Sequence, residues 1–176
     1  GHGMMRISAV APERHVIEAK ARIFHDQEDV KTAFKNGEFT DDTVVVVRFQ
    51  GPQANGMPEL HRLTPSLTVL QNKGFKVALV TDGRMSGASG AVPAAIHVKP
   101  AADIDSPLAR IKSGDIVLLD AATGELESKV DKSELAKRPR AEPHPDQHGY
   151  GRELFQVFRN AASDPETGAS VFGNLA

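Results

Sequence analysis

The sequence predicts one mixed α/β domain, and three observations carry that expectation. Two short aliphatic runs, Thr43 to Phe49 with four valines in succession and Lys76 to Val80, are strand-sized and suit strands covered on both faces. Each run delivers the chain into a glycine-bearing loop and then a segment read as helical, the alternation that builds a parallel sheet. The length of 176 residues, 18.9 kDa, suffices for one ordinary domain and is too short for two comfortable ones. On these residues alone the expectation is a plain open α/β sheet.

The elements follow in order. Gly1-His2-Gly3 before Met4 reads as an expression-tag remnant, so residues 1–3 are left out of the expected fold and 4–176 are taken as the domain. Residues 16–25 alternate loosely as a strand and end at Asp26, which can cap a helix through Lys35. Val30, Ala33 and Phe34 share one face of that helix, and Asn36-Gly37 stops it. After the valine strand, Gly51-Pro52 and Asn55-Gly56 break the backbone, Pro58 opens a helix over 59–63, and a second helix runs from Thr64-Pro65 to Asn72. A helix is also expected in the apolar segment Ala91 to Val98. Residues 114–120 and 125–130 read as a hairpin turning at Thr123-Gly124. Asp131 and Glu134 have capping-box spacing ahead of a short helix. Residues 138–149 read as an extended linker. A C-terminal helix over 151–161 and a turn-rich tail from Ser163 complete the segment 150–176.

Composition excludes several functions. The sequence holds no cysteine, which removes disulfides, thiolate metal sites, a thiol nucleophile and a self-contained iron–sulfur cluster. With 21 basic against 23 acidic side chains, no surplus of positive charge argues for nucleic acid. The apolar runs are far below the roughly 20 residues of a membrane span, and no signal-peptide core is present, so no membrane partner and a cytoplasmic location are expected.

Two loops could carry chemistry. The one at 81–90, with three glycines, lets backbone amides converge on an anion, while Arg84, Ser86 and Ser89 add donors. It matches neither a P-loop nor a nucleophile elbow, and glycines that merely permit a tight turn explain the pattern equally well. The other loop, 51–59, ends in Glu59, where a carboxylate could simply complement a helix dipole. If strands 43–49 and 76–80 are parallel neighbours, both loops emerge at one sheet edge, and Glu59 can face Ser86 across a cleft. A carboxylate beside a hydroxyl suits a substrate bound to a divalent cation. Among the histidines, His144 and His148 lie in the proline-rich linker, His61 sits close to Glu59 in sequence, and His97 follows the glycine loop. Each reads more readily as structural than as functional.

The stretches VVVVRFQGPQANGMPELHRLTP, VALVTDGRMSGASGAVPAAIHVKP and SPLARIKSGDIVLLDAATGELE resemble the C-terminal domain of the dihydroxy-acid and phosphogluconate dehydratase family. GRMSGASG and GRELFQVFRNAASDPETGAS look more like the 6-phosphogluconate branch than the branched-chain amino-acid branch. The resemblance covers nearly the whole chain. It implies a swivelling β/β/α domain, a small barrel-like sheet flanked by helices, from an enzyme that dehydrates 6-phospho-D-gluconate in the Entner–Doudoroff pathway.

It also implies an active site shared with a larger N-terminal domain, which would supply cysteines for an iron–sulfur cluster and further ligands for a shared Mg2+. The expected partners are that domain, a sugar-acid phosphate and a second copy in a homodimer; the chain alone is expected to be inactive. Carried over by motif, Ser86 is the base, Glu59 a magnesium ligand, and Arg84, Gly87 and Ser89 contact substrate. One branch of the family has a threonine soon after the catalytic serine. Ala88 and Ser89 occupy that region here, so the hydroxyl role passes to Ser89. The reaction explains the pairing: a serine hydroxyl becomes a base only near a cation or a focused positive field. The rival readings are a stand-alone binder of phosphorylated sugar acids and a module for interdomain or dimer contact.

Overall fold

A computed structural model describes residues 2–86, 91–143, 149 and 151–172. The sheet comprises β1 (His2–Arg6), β2 (Val16–Phe24), β3 (Thr43–Val47), β4 (Val77–Thr81), β5 (Ala94–Lys99), β6 (Ile116–Asp120) and β7 (Glu125–Ser128). The helices are α1 (Gln27–Lys35), α2 (Pro52–Asn55), α3 (Thr64–Asn72), α4 (Pro107–Arg110), α5 (Lys132–Lys137) and α6 (Arg152–Ala161). The seven strands lie in the order β1-β5-β4-β3-β2-β6-β7. The run β2, β3, β4, β5 is parallel, whereas β1, β6 and β7 join antiparallel.

The sheet curls into a nearly closed barrel. Residues from both edge strands, His2 on β1 and Glu125 to Ser128 on β7, line one cavity of ≈ 400 Å³. The alternation along each strand divides the core accordingly. The concave face takes small side chains, including Ala19, Ala21, Ala78 and Ala95, and is closed by Leu108 of α4 and Leu135 of α5. The convex face takes bulkier ones, such as Val45, Val47, Leu79 and Ile96, and is covered by Val30 of α1 and Leu67 of α3. Tight curvature crowds the inside and favours short side chains there.

Every residue of β3 and β4 is buried, as both-face coverage requires. Each core valine contributes about 1.5–3 kcal/mol by leaving water. Asp26 caps α1 by accepting from the Glu28 amide at 2.7 Å, and Gly37 ends the helix with φ +70°. At α5, Asp131 accepts from the Ser133 and Glu134 amides, but the Glu134 side chain accepts from Arg138 rather than closing the box.

Four expectations change. The open sheet of the residues alone gives way to the barrel-like one implied by the resemblance. The fold takes in His2 and Gly3, because β1 pairs with β5 from His2 onward. The segment expected as a helix after the glycine loop contains strand β5 instead: its alanines are good helix formers, but pairing with β4 on one side and β1 on the other supplies a ladder that overrides that preference. Finally, the helix expected over 59–63 is only a 3-10 turn, His61–Leu63, while the earlier break at 52–55 forms α2. The histidines at 144 and 148 lie outside the described residues.

Candidate active site

Parallel pairing brings Val47 of β3 opposite Thr81 of β4, and Phe24 of β2 opposite Val47, so the loops that follow leave from one end of the sheet. There the loop after β3 returns as an extended segment in which Glu59 forms a parallel bridge with Arg84. The Leu60 amide donates to the Arg84 carbonyl at 3.2 Å. The Ser86 amide donates to Glu59 Oε1 at 2.6 Å, joining residues 27 positions apart. Glu59 is therefore not a helix-dipole carboxylate. It belongs to a two-strand contact that places its carboxyl beside Ser86.

Arg84 is held to the same arm. Its Nε donates to the Met57 carbonyl at 2.8 Å, and its guanidinium lies 3.7 Å from Glu59 Oε2. Two amides expected to converge on an anion are already engaged, Gly83 with Thr81 Oγ1 at 2.9 Å and Ser86 with Glu59. Those two amides are spent on holding the loop in place. Gly87 and Ser89 lie outside the described residues.

Sequence reasoning missed Asp82, the acid of the Thr81-Asp82-Gly83-Arg84 run. It is 1% exposed, and both its oxygens accept backbone amides: Gln50 on Oδ1 at 2.9 Å, Phe49 and Ala102 on Oδ2 at 3.0 Å. Burial pushes its carboxyl pKa up, while the three amides pull it back toward the ordinary range. One side chain therefore ties together the loops after β3, β4 and β5. The signal available in the sequence was an acid two positions after the aliphatic run Val77 to Val80, at the end of a buried strand, a place where an ionisable group is buried only when hydrogen-bonded. Next to it, Gly83 is required: a Cβ there would lie 2.6 Å from Gln50 Cβ.

Behind Asp82, Arg48 is 7% exposed and donates to the carbonyls of Leu108 and Ile111, and through Nε to His25 Nε2 at 3.0 Å. Burial lowers its pKa and the nearby Asp82 opposes that shift.

A cleft of ≈ 570 Å³ opens beside this assembly, lined by Arg6, Ser8, Glu59, Arg84, Ser86 and His97 among others. Glu59, Ser86 and Arg84 thus come together as the sequence anticipated. His61 does not join them; it is exposed and outside the lining. Glu59 offers a cation a single carboxylate. Among the described residues no group of three His, Asp or Glu side chains could hold a metal ion. No helix among them is long and apolar enough to cross a membrane.

Residues 1–169 match the family model described as dihydroxy-acid/6-phosphogluconate dehydratase C-terminal. A phosphogluconate dehydratase of Pseudomonas aeruginosa is 60% identical over 174 residues, 98% of this chain and 28% of that protein. That of Escherichia coli K12 is 53% identical over 175 residues, 97% of this chain and 28% of that protein. A dihydroxy-acid dehydratase of Lachnospira eligens is 40% identical over 136 residues, 77% of this chain and 24% of that protein. The chain spans little more than a quarter of the length of the curated relatives it matches.

Proposed function

Because the chain belongs to the dihydroxy-acid/6-phosphogluconate dehydratase family as its C-terminal domain, we propose that it supplies the serine half of a dehydratase active site. The substrate is a phosphorylated sugar acid, 6-phospho-D-gluconate, and the product 2-keto-3-deoxy-6-phosphogluconate, as in the Entner–Doudoroff pathway. The enzyme is cytoplasmic and homodimeric. The observation that carries the reading is the 2.6 Å hydrogen bond from the Ser86 amide to Glu59, which sets an alcohol and a carboxyl at the rim of one cleft.

Dehydration removes a proton from the carbon beside a carboxylate and expels the neighbouring hydroxyl, so it needs a base and an electrophile. Ser86 is the base. Glu59 would give one oxygen to Mg2+; such an ion prefers roughly six oxygen ligands, so the rest come from substrate, water and another part of the enzyme. When bound, the cation supplies positive charge that favours an ionised serine and a developing enolate. Glu59 keeps the arm in register with Ser86, and Arg84 presents positive charge to an anionic substrate. Gly87 and Ser89 complete the substrate contacts. With no cysteine, the chain provides no thiolate to an iron–sulfur cluster, and that cofactor belongs to the N-terminal domain of the same enzyme. The chain alone is inactive.

The test is turnover of 6-phosphogluconate by a full-length dehydratase carrying this chain. Ser86→Ala is expected to lower kcat by about 10³-fold or more and Glu59→Gln by about 10²-fold. Near-normal turnover in Ser86→Ala would remove the serine from the chemistry.

A second reading, a surface for interdomain or dimer contact, is favoured at one place. Helix α6 turns Leu154, Phe155, Val157 and Phe158 outward, with Leu154 70% and Val157 72% exposed.

A further inference from the structure

The geometry points to His97 as a further catalytic residue of this cleft, a proton carrier that a β-bulge brings to the same wall as Ser86 and Glu59. The inference rests on the dehydratase reading and deepens it.

Along β5, Ala94 packs on the convex core, Ala95 on the concave core and Ile96 on the convex core again. An unbroken strand would next send residue 97 into the concave core and residue 98 to the convex side. Instead Val98 packs in the concave core. One residue has been inserted, and the pairing with β1 shows where: His2 lies opposite Lys99 and Met4 opposite Ile96, two steps on β1 against three on β5. His97 has φ +53°, a left-handed backbone that costs a non-glycine residue of order 1 kcal/mol or more. Bulges of this kind bend a strand and re-aim a side chain, and they recur beside active sites.

The bulge keeps an imidazole out of the barrel interior, where it would need a buried partner, and leaves it half-buried on the cleft wall. It is also anchored to the catalytic loop, because the His97 amide donates to the Gly83 carbonyl at 2.9 Å, three residues before Ser86. Burial, and then the charge of Arg84, lower the imidazole pKa, so at neutral pH the ring is a neutral acceptor able to take a proton.

The reaction has a use for such a group. As C2–H gives its proton to Ser86, that electron pair forms C2=C3 and the C3–O bond breaks with its electrons on the departing hydroxide. In the enol that remains, the C2 hydroxyl passes its proton to His97 while its O–H electrons form the C2=O bond. The C2=C3 pair then takes up at C3 the proton held by Ser86. The imidazolium returns its proton to the hydroxide, which leaves as water, and both side chains are restored without any external reagent.

The decisive variant is His97→Asn in a full-length dehydratase carrying this chain. Asparagine tolerates left-handed backbone better than most residues, so the bulge persists while the proton-carrying ring is lost. The expected result is a fall in kcat of about 10²–10⁴-fold with KM for 6-phosphogluconate changed by about threefold or less. In His97→Ala, added free imidazole should recover part of the lost rate. Wild-type kcat in His97→Asn would overturn the inference, as would a rate loss in both variants that imidazole leaves untouched. A parent enzyme with no 6-phosphogluconate turnover would sink the dehydratase reading itself, a result distinct from an active parent with an active His97→Asn variant.

Discussion

The loops after β3 and β4 and the helix α6 are held to the same body in opposite ways. The loops are irregular backbone, yet Asp82 fixes them through three buried hydrogen bonds, and Glu59, Arg84 and Ser86 stitch their outer ends together. Helix α6 is regular, yet it meets the body through polar contacts. Arg152 donates to Asn55 Oδ1 at 3.0 Å and Gln53 to the Ala162 carbonyl at 2.8 Å, while the apolar side chains face outward. Regular secondary structure is thus no guide to how firmly a segment is determined. Buried polar atoms with a single set of partners determine the site loops, because any other arrangement strands a desolvated group.

That contrast can be broken at its strongest point first. Asp82→Asn swaps an oxygen for an amide group among three N–H donors. It is expected to destabilise the chain by about 1.5–3 kcal/mol per bond lost in denaturant unfolding and to move the Ser86 amide proton resonance away from its strongly hydrogen-bonded position. An unchanged Ser86 resonance would mean that the pin does not govern the site. Gly83→Ala forces a methyl against Gln50 and should cost about 1–3 kcal/mol, read as a lowered unfolding midpoint at constant m value. At the weak end, Leu154→Glu or Val157→Glu on α6 should change the stability of the chain by about 0.5 kcal/mol or less, because neither side chain is buried. A loss of several kcal/mol would show that α6 packs by its apolar face after all.

Much of this organisation was legible in the residues. The valines of β3 and the aliphatic run of β4 announced buried parallel strands, Asp26 announced the start of α1, and the two loop exits announced that Glu59 and Ser86 could meet. What stayed hidden depended on partners distant in sequence. β5 reads as a helix because Ala94 and Ala95 carry no local strand signal; only the neighbours β4 and β1 supply the ladder. The bulge at His97 exists only relative to β1, some 90 positions earlier. Asp82 looks like an ordinary loop acid until Phe49, Gln50 and Ala102 are seen to point their amides at it. Glu59 was reached through the shared sheet edge of the two loops; what the residues misjudged was its local setting, since a bridge to Arg84 rather than a helix start holds it.

The seam between β1 and β7 leaves two strands with one unpaired side each, the kind of border on which a second molecule can template itself into a growing ribbon. On β7 that border is four residues long and carries Glu125 and Glu127, both exposed. Glu127 is paired with Lys129, and so short a charged row offers an identical row little ladder to extend. On the β7 side the incomplete ring therefore keeps its opening without turning it into a starting point for fibrils.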